Sequence, residues 1–194
     1  MRPMAEPFFF GYGSLVNRAT HGFVDAHPAQ LTGWRRAWRH TSARAVAYLT
    51  AVPAPGAQID GLIAHVPGDD WAALDERERA YARHPVTELT RHGVARDLHV
   101  QVYAIAPENH AAPDRQNPVL LSYIDVVVQG YLAEFGETGV QRFFDTTDGW
   151  QAPILDDRSD PVYPRHQRLS ADERGLVHDQ LARVGAQIVT EMPV

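Results

Sequence analysis

Apolar residues in this chain fall into short, strand-length runs first. Longer runs with helical spacing come only later, and that order limits the fold more than any other feature. Phe8 to Tyr12 is an aromatic run of strand length. Gln30 to His40, with Trp34 and Trp38, and Ala45 to Val52, with Val46, Tyr48 and Leu49, read as strands two and three. Pro53 to Gly56 reads as a turn, and Ile59 to Val66 follows with Gly61 expected to mark a bulge. Val86 to Val94 and Leu98 to Ile105 read as a hairpin. The second of these alternates Leu98, Val100, Val102 and Ala104 against His99, Gln101, Tyr103 and Ile105.

Three helices are expected among and after these strands. One starts after Gly68, capped by Asp69 or Asp70, and runs to about Arg83, where His84-Pro85 ends it. A second runs from near Pro118 to about Glu134 and stops at Gly136, with a short extra turn over Gly139 to Phe144. The last begins at Ser170, with Glu173 three residues on as a capping box, and reaches about Thr190. Strands first and helices later give an α+β class. The architecture expected is a small mixed, mainly antiparallel β-barrel, closed or nearly so, with flanking helices. A length of 194 residues suits a single domain over 1–194.

Composition removes several chemistries. All 18 basic residues are arginine, so a lysine Schiff base and the phosphate-loop lysine are absent. There is no cysteine, hence no disulfide, thiolate nucleophile or thiolate metal site. A formal charge of −6 argues against a nucleic-acid partner and against an anionic membrane surface. The ten histidines show no tight ligand spacing, so no metal site is expected. Phe8-Phe9-Phe10 is cut short at Gly11, too early for a leader core or a membrane span, which makes the cytoplasm the default location.

Three segments carry candidate chemistry. In Phe10-Gly11-Tyr12-Gly13-Ser14-Leu15, two glycines flank a tyrosine at the end of the first strand. Such a turn lets a carboxylate or carbonyl approach backbone N–H groups closely, although an ordinary glycine turn has the same pattern. Val16 replaces the third glycine of a dinucleotide fingerprint, and Ser14 lacks the flanking glycines of a nucleophile elbow. In Trp71 to Tyr81, Glu78 lies on the apolar face between Leu74 and Tyr81. Glu76 points roughly 160° away, toward water. An inward carboxylate is either a general acid/base or one half of a structural ion pair with an arginine. Pro118 to Tyr131 reads as a core helix, with Ser122 bonded back to the preceding turn. Trp34, Trp38 and Tyr48 beside Arg35, Arg36 and Arg39 read as core plus solvated face rather than as a base-stacking platform.

In combination these segments resemble the γ-glutamylcyclotransferase superfamily, and most of all its ChaC-type bacterial branch. Tyr12-Gly13-Ser14-Leu15 matches the signature loop, and Leu74-Asp75-Glu76-Arg77-Glu78 matches the helix of the catalytic glutamate, a role that falls on Glu78. Ser122-Tyr123-Ile124-Asp125 with Gln129-Gly130-Tyr131 is similar to the later helix. Pro161-Val162-Tyr163-Pro164-Arg165 resembles a motif near the C-terminus of ChaC-type members. The resemblance departs at Val16-Asn17-Arg18, where ChaC-type proteins commonly carry a tryptophan, and so it does not fix glutathione as substrate.

The resemblance implies a γ-glutamylcyclotransferase-like fold and cleavage of a γ-glutamyl amide by the substrate's own α-amine. The products are 5-oxoproline and an amine or amino acid, with glutathione and γ-glutamyl dipeptides among the candidate substrates. Because the substrate brings its own nucleophile, no cofactor or metal is implied. Glu78 would be the acid/base, backbone N–H groups of Tyr12, Gly13, Ser14 and Leu15 would hold the substrate, and Tyr123 would be a wall or hydrogen-bond donor. Two other readings stay open: a non-catalytic small-molecule binding module on the same barrel, and a serine-dependent amidohydrolase using Ser14 with a histidine.

Overall fold

Phe8, Phe9 and Phe10 are all at most 1% exposed, so the first strand is covered on both faces and sits in the middle of a sheet. The computed structural model describes residues 5–42, 45–106, 108 and 110–191. Met1 to Met4, on which part of the leader reading rests, lie outside them. The strands are β1 (Glu6–Gly11), β2 (Ala26–Arg39), β3 (Tyr48–His65), β4 (Ala82–Val86), β5 (Leu89–Thr90), β6 (Leu98–Ala104), β7 (Val119–Leu120), β8 (Thr147–Asp148), β9 (Pro153–Leu155) and β10 (Gln187–Val189). The helices are α1 (Ala72–Arg77), α2 (Leu121–Asp145) and α3 (Ala171–Arg183).

The main sheet has seven strands in the order β4-β6-β1-β3-β2-β5, with β8 added on β2. Four pairings are antiparallel, while β1–β6 and β2–β8 are parallel. The sheet curls into a half-barrel with few helices, which is the expected α+β class. Among the described residues it is not closed into a ring, because its path runs from β4 at one end to β5 at the other. A second, parallel sheet joins β10, β9 and β7 beside it.

Several local expectations are corrected. Tyr48 to His65 is one strand, not two. Trp34 pairs with Pro53 and Thr32 with Gln58, so residues 54–57 bulge opposite Gly33 and the strand then resumes its direction. Gly61 is not the bulge. It pairs in register with Ala29, and a Cβ there would lie 2.4 Å from the Gly11 carbonyl oxygen, so the glycine permits close backbone approach. The hairpin partner of β6 is Ala82–Val86 rather than residues 86–94, and Leu89–Thr90 pairs instead with β2. Pro85 is tolerated because β4 is an edge strand.

The first helix stops at Arg77 rather than about Arg83, because the residues after Tyr81 are taken up by the ladder with β6. Gly136, at φ 67°, interrupts the second helix where expected, but helical backbone resumes and continues to Asp145. The capping box at Ser170 is present, and α3 ends at Arg183 so that residues 187–189 can pair with β9. Among the described residues no helix is long and apolar enough to cross a membrane.

Candidate active site

The turn that follows β1 is held from behind by a buried cation. Arg36 is fully buried, with its Nε donating to the Tyr12 carbonyl at 3.1 Å and its Nη2 to the Asp60 carbonyl at 2.6 Å. Its guanidinium also donates to Tyr131 Oη (2.6 Å) and Thr146 Oγ1 (2.7 Å) and lies 5.0 Å and 5.1 Å from the Tyr131 and Phe143 ring centroids. Neutral oxygens and aromatic faces replace water around this charge. Tyr131 Oη in turn contacts the Tyr12 carbonyl at 2.8 Å. Burial pushes its phenol up to about 12, against the pull of Arg36, so it stays protonated.

Past Tyr12 the chain makes a tight 3-10 turn over Ser14–Val16, closed by Val16 N–H to the Gly13 carbonyl at 3.0 Å. Buried Asn17 ties this turn to α2 by donating to the Val126 carbonyl and to Gln129 Oε1, both at 3.0 Å. Tyr123, from the first turn of α2, places its Oη 3.4 Å from the Ser14 backbone nitrogen, a weak contact that a ligand acceptor can replace. The Tyr123 phenol is raised well above its ordinary value, first by burial and then by the negative field of neighbours that include Glu78.

Glu78 arrives from the other side. It caps the C-terminus of α1, with its N–H on the Leu74 carbonyl at 2.8 Å, and its side chain is 16% exposed against 76% for Glu76. The inward and outward assignment of the two glutamates therefore holds although the helix is shorter than expected. Glu78 is half of an ion pair with an arginine, its Oε1 lying 3.2 Å from Arg77 Nε, and it also lines a cavity. Arg77 further donates to the Thr20 carbonyl (2.7 Å), Thr20 Oγ1 (3.0 Å) and Ser14 Oγ (3.2 Å), joining the carboxylate to the turn.

The cavity is a narrow niche of about 30 Å³ between the turn Gly11–Leu15, Glu78, Tyr81, Tyr103 and Tyr123. It adjoins a groove of about 730 Å³ that shares Ser14, Glu78, Tyr81 and Tyr123 and is bounded by residues 45–48 and 162–165. Tyr12 Oη donates to the Tyr103 carbonyl at 2.5 Å, and Tyr103 Oη donates to Asp75 Oδ1 at 2.7 Å. Both phenols are pushed up, chiefly by burial, so both remain donors.

All six residues singled out from the sequence, Tyr12, Gly13, Ser14, Leu15, Glu78 and Tyr123, line this one niche. Ser14 Oγ accepts from Arg77, a group that cannot act as a base, while His21 faces the Leu15 carbonyl at 3.1 Å. Sequence reasoning missed Arg36, Arg77 and Tyr103. For Arg36 the signal was present, since strand alternation sets it on the face of Trp38, two residues on. Trp38 itself is fully buried against Tyr123 and Trp150, a core role.

Residues 9–123 match the protein family described as gamma-glutamyl cyclotransferase, AIG2-like. The fold is similar to a solved gamma-glutamyl cyclotransferase, at 12% identity over 89% of this chain and 98% of the other, with a TM-score of 0.53. It is similar to an uncharacterized protein from Homo sapiens, at 13% identity over 88% and 97% of the two chains, with a TM-score of 0.55. It also resembles YkqA from Bacillus subtilis, at 16% identity over 74% of this chain and 56% of that one, with a TM-score of 0.54. No curated protein matches the chain. The structural likenesses speak to the fold. The family match spans more than half of the sequence and includes the turn, Glu78 and Tyr123, and by it the chain belongs to the gamma-glutamyl cyclotransferase, AIG2-like family.

Proposed function

We propose that the protein cleaves a γ-glutamyl amide by ring closure, with Glu78 as the acid/base. One observation carries this reading: a single, mostly buried carboxylate lines the niche formed by the glycine turn. The substrate's α-amine attacks its own γ-carbonyl carbon. A carbon–nitrogen bond forms to close the five-membered ring, and the original amide carbon–nitrogen bond breaks. Two protons leave the α-ammonium nitrogen and end on the departing amine, and Glu78 takes and returns protons along this route.

Backbone N–H groups of Tyr12 to Leu15 hold the γ-glutamyl end and meet the oxyanion as it develops, and Tyr123 Oη closes the wall beside them. The neutral Tyr12 and Tyr103 phenols keep the floor of the niche uncharged. The motifs from Tyr12-Gly13-Ser14-Leu15 to Tyr163-Pro164-Arg165 support a place in the ChaC-type branch, and glutathione and γ-glutamyl dipeptides are the first substrates to try.

The test is incubation with a panel of γ-glutamyl compounds and detection of 5-oxoproline by mass spectrometry. Glu78→Gln should lower turnover by about 10²–10⁴-fold while the protein stays folded by circular dichroism, and Glu76→Gln should retain near-parental turnover. Full activity in Glu78→Gln would remove the acid/base assignment. Sensitivity to Ser14→Ala with a trapped acyl-enzyme would favour the serine amidohydrolase instead.

A further inference from the structure

Beyond the niche, the outer wall of the groove is a strap of residues 156–165 laid across the start of α2. Two anchors fix it. Buried Asp157 accepts from the Ser122 N–H (2.8 Å), Ser122 Oγ (2.5 Å) and the Val162 N–H (2.9 Å). Arg158 grips buried Asp125 with two hydrogen bonds, at 2.8 Å and 2.6 Å. The strap ends in a turn closed by His166 N–H to the Tyr163 carbonyl at 3.1 Å, with Pro164 in the second position. The Tyr163 ring packs edge-on against Tyr123 at 5.0 Å. This turn sets Arg165 on the lip of the groove.

Five ionised side chains line the groove: Glu76, Arg77, Glu78, Arg79 and Arg165. Arg77 pairs with Glu78 at 3.2 Å and Arg79 with Glu76 at 3.4 Å. Arg165 has no acidic partner among the described residues. The groove thus carries one positive charge in excess, on an anchored turn, beyond the carboxylate that would work on the scissile amide.

We propose that Arg165 reads a carboxylate on the leaving side of the substrate. The preferred substrates are then γ-glutamyl amino acids and γ-glutamyl peptides with a free carboxylate there, over γ-glutamyl alkylamines. This rests on the cyclotransferase reading above. A guanidinium on the lip binds ground state and transition state alike, so it acts on KM more than on kcat.

The test compares γ-glutamyl-alanine with γ-glutamyl-ethylamide, which differ only by that carboxylate, with 5-oxoproline as the readout. The carboxylate substrate should have a kcat/KM on the order of tenfold higher, carried by KM. In Arg165→Gln, with its folding checked by circular dichroism, the ratio should fall toward one. Equal kinetics for the two substrates, or an undiminished ratio in Arg165→Gln, would overturn the carboxylate subsite and leave ring closure standing. Absence of 5-oxoproline from both, and from glutathione run beside them, would overturn ring closure and the subsite with it.

Discussion

A methyl group added at Gly13 would sit 2.5 Å from Tyr123 Oη and 3.4 Å from Leu49 Cδ2. Gly13→Ala is therefore expected to destabilise by about 1–3 kcal/mol, and Tyr123→Phe, which removes the colliding oxygen, should recover part of that loss. A double-mutant cycle in urea checks this, and strictly additive effects would contradict it. At this scale the sequence was most legible where a residue type clashes with its surroundings. Glu78 stood out because one carboxylate among many was aimed at an apolar stripe. Arg77 did not, because its value lies in contacts to Thr20 and Ser14 from a distant segment, and no local period announces those. Arg36 sat in a charged cluster that reads as solvated. Its burial depends on Tyr131 and Phe143 arriving about a hundred residues later to cover it.

Helix ends and short strands decide the next level. Asp157 caps α2 from outside the helix and is a buried acceptor for two backbone N–H groups. Its replacement by alanine should cost about 1–3 kcal/mol and lower the melting temperature by several degrees, as read by thermal denaturation. His21 links the first 3-10 turn to the segment that leads into β2. Its Nε2 faces the Leu15 carbonyl at 3.1 Å and so carries a hydrogen, while Nδ1 accepts from the Phe23 N–H at 3.3 Å, a bond that protonation would break. Burial, ahead of the opposing Leu15 carbonyl and reinforced by Arg77 and Arg18, depresses its basicity below the ordinary 6.5.

The unfolded chain therefore binds a proton at this site more readily than the folded one. The stability held by neutral His21 is complete above about pH 6.5 and is lost as the pH falls below it. Between pH 7.5 and 5.5 the parental protein should lose more unfolding free energy than His21→Gln. Equal losses would exclude His21 as a source of acid sensitivity.

For the whole molecule, the order of strands and helices was enough to read the class, since alternation in Leu98–Ala104 and the aromatic run at Phe8 are local signals. The pairings that make the sheet mixed were not legible. The parallel neighbours β1 and β6 are joined only after the chain has travelled through β2, β3 and α1. Strands of two or three residues, such as β8 and β10, have no period to detect. Pro53 to Gly56 carried strong turn chemistry, yet pairing on both sides kept the strand going and turned the signal into a bulge. The turn and Glu78 each stood in a local pattern, whereas Tyr123 lay in what reads as a core helix and was singled out by the family resemblance alone; folding brings all three to one niche.

Glu78 occupies the splice where α1 hands over to the segment leading into β4, and its orientation is set from both directions. A residue inserted or deleted between positions 79 and 81 would swing the carboxylate around the axis while leaving the β4–β6 ladder free to form. Homologues that keep a glutamate in this niche should hold the spacing from it to the strand constant, even where neighbouring loops grow or shrink freely.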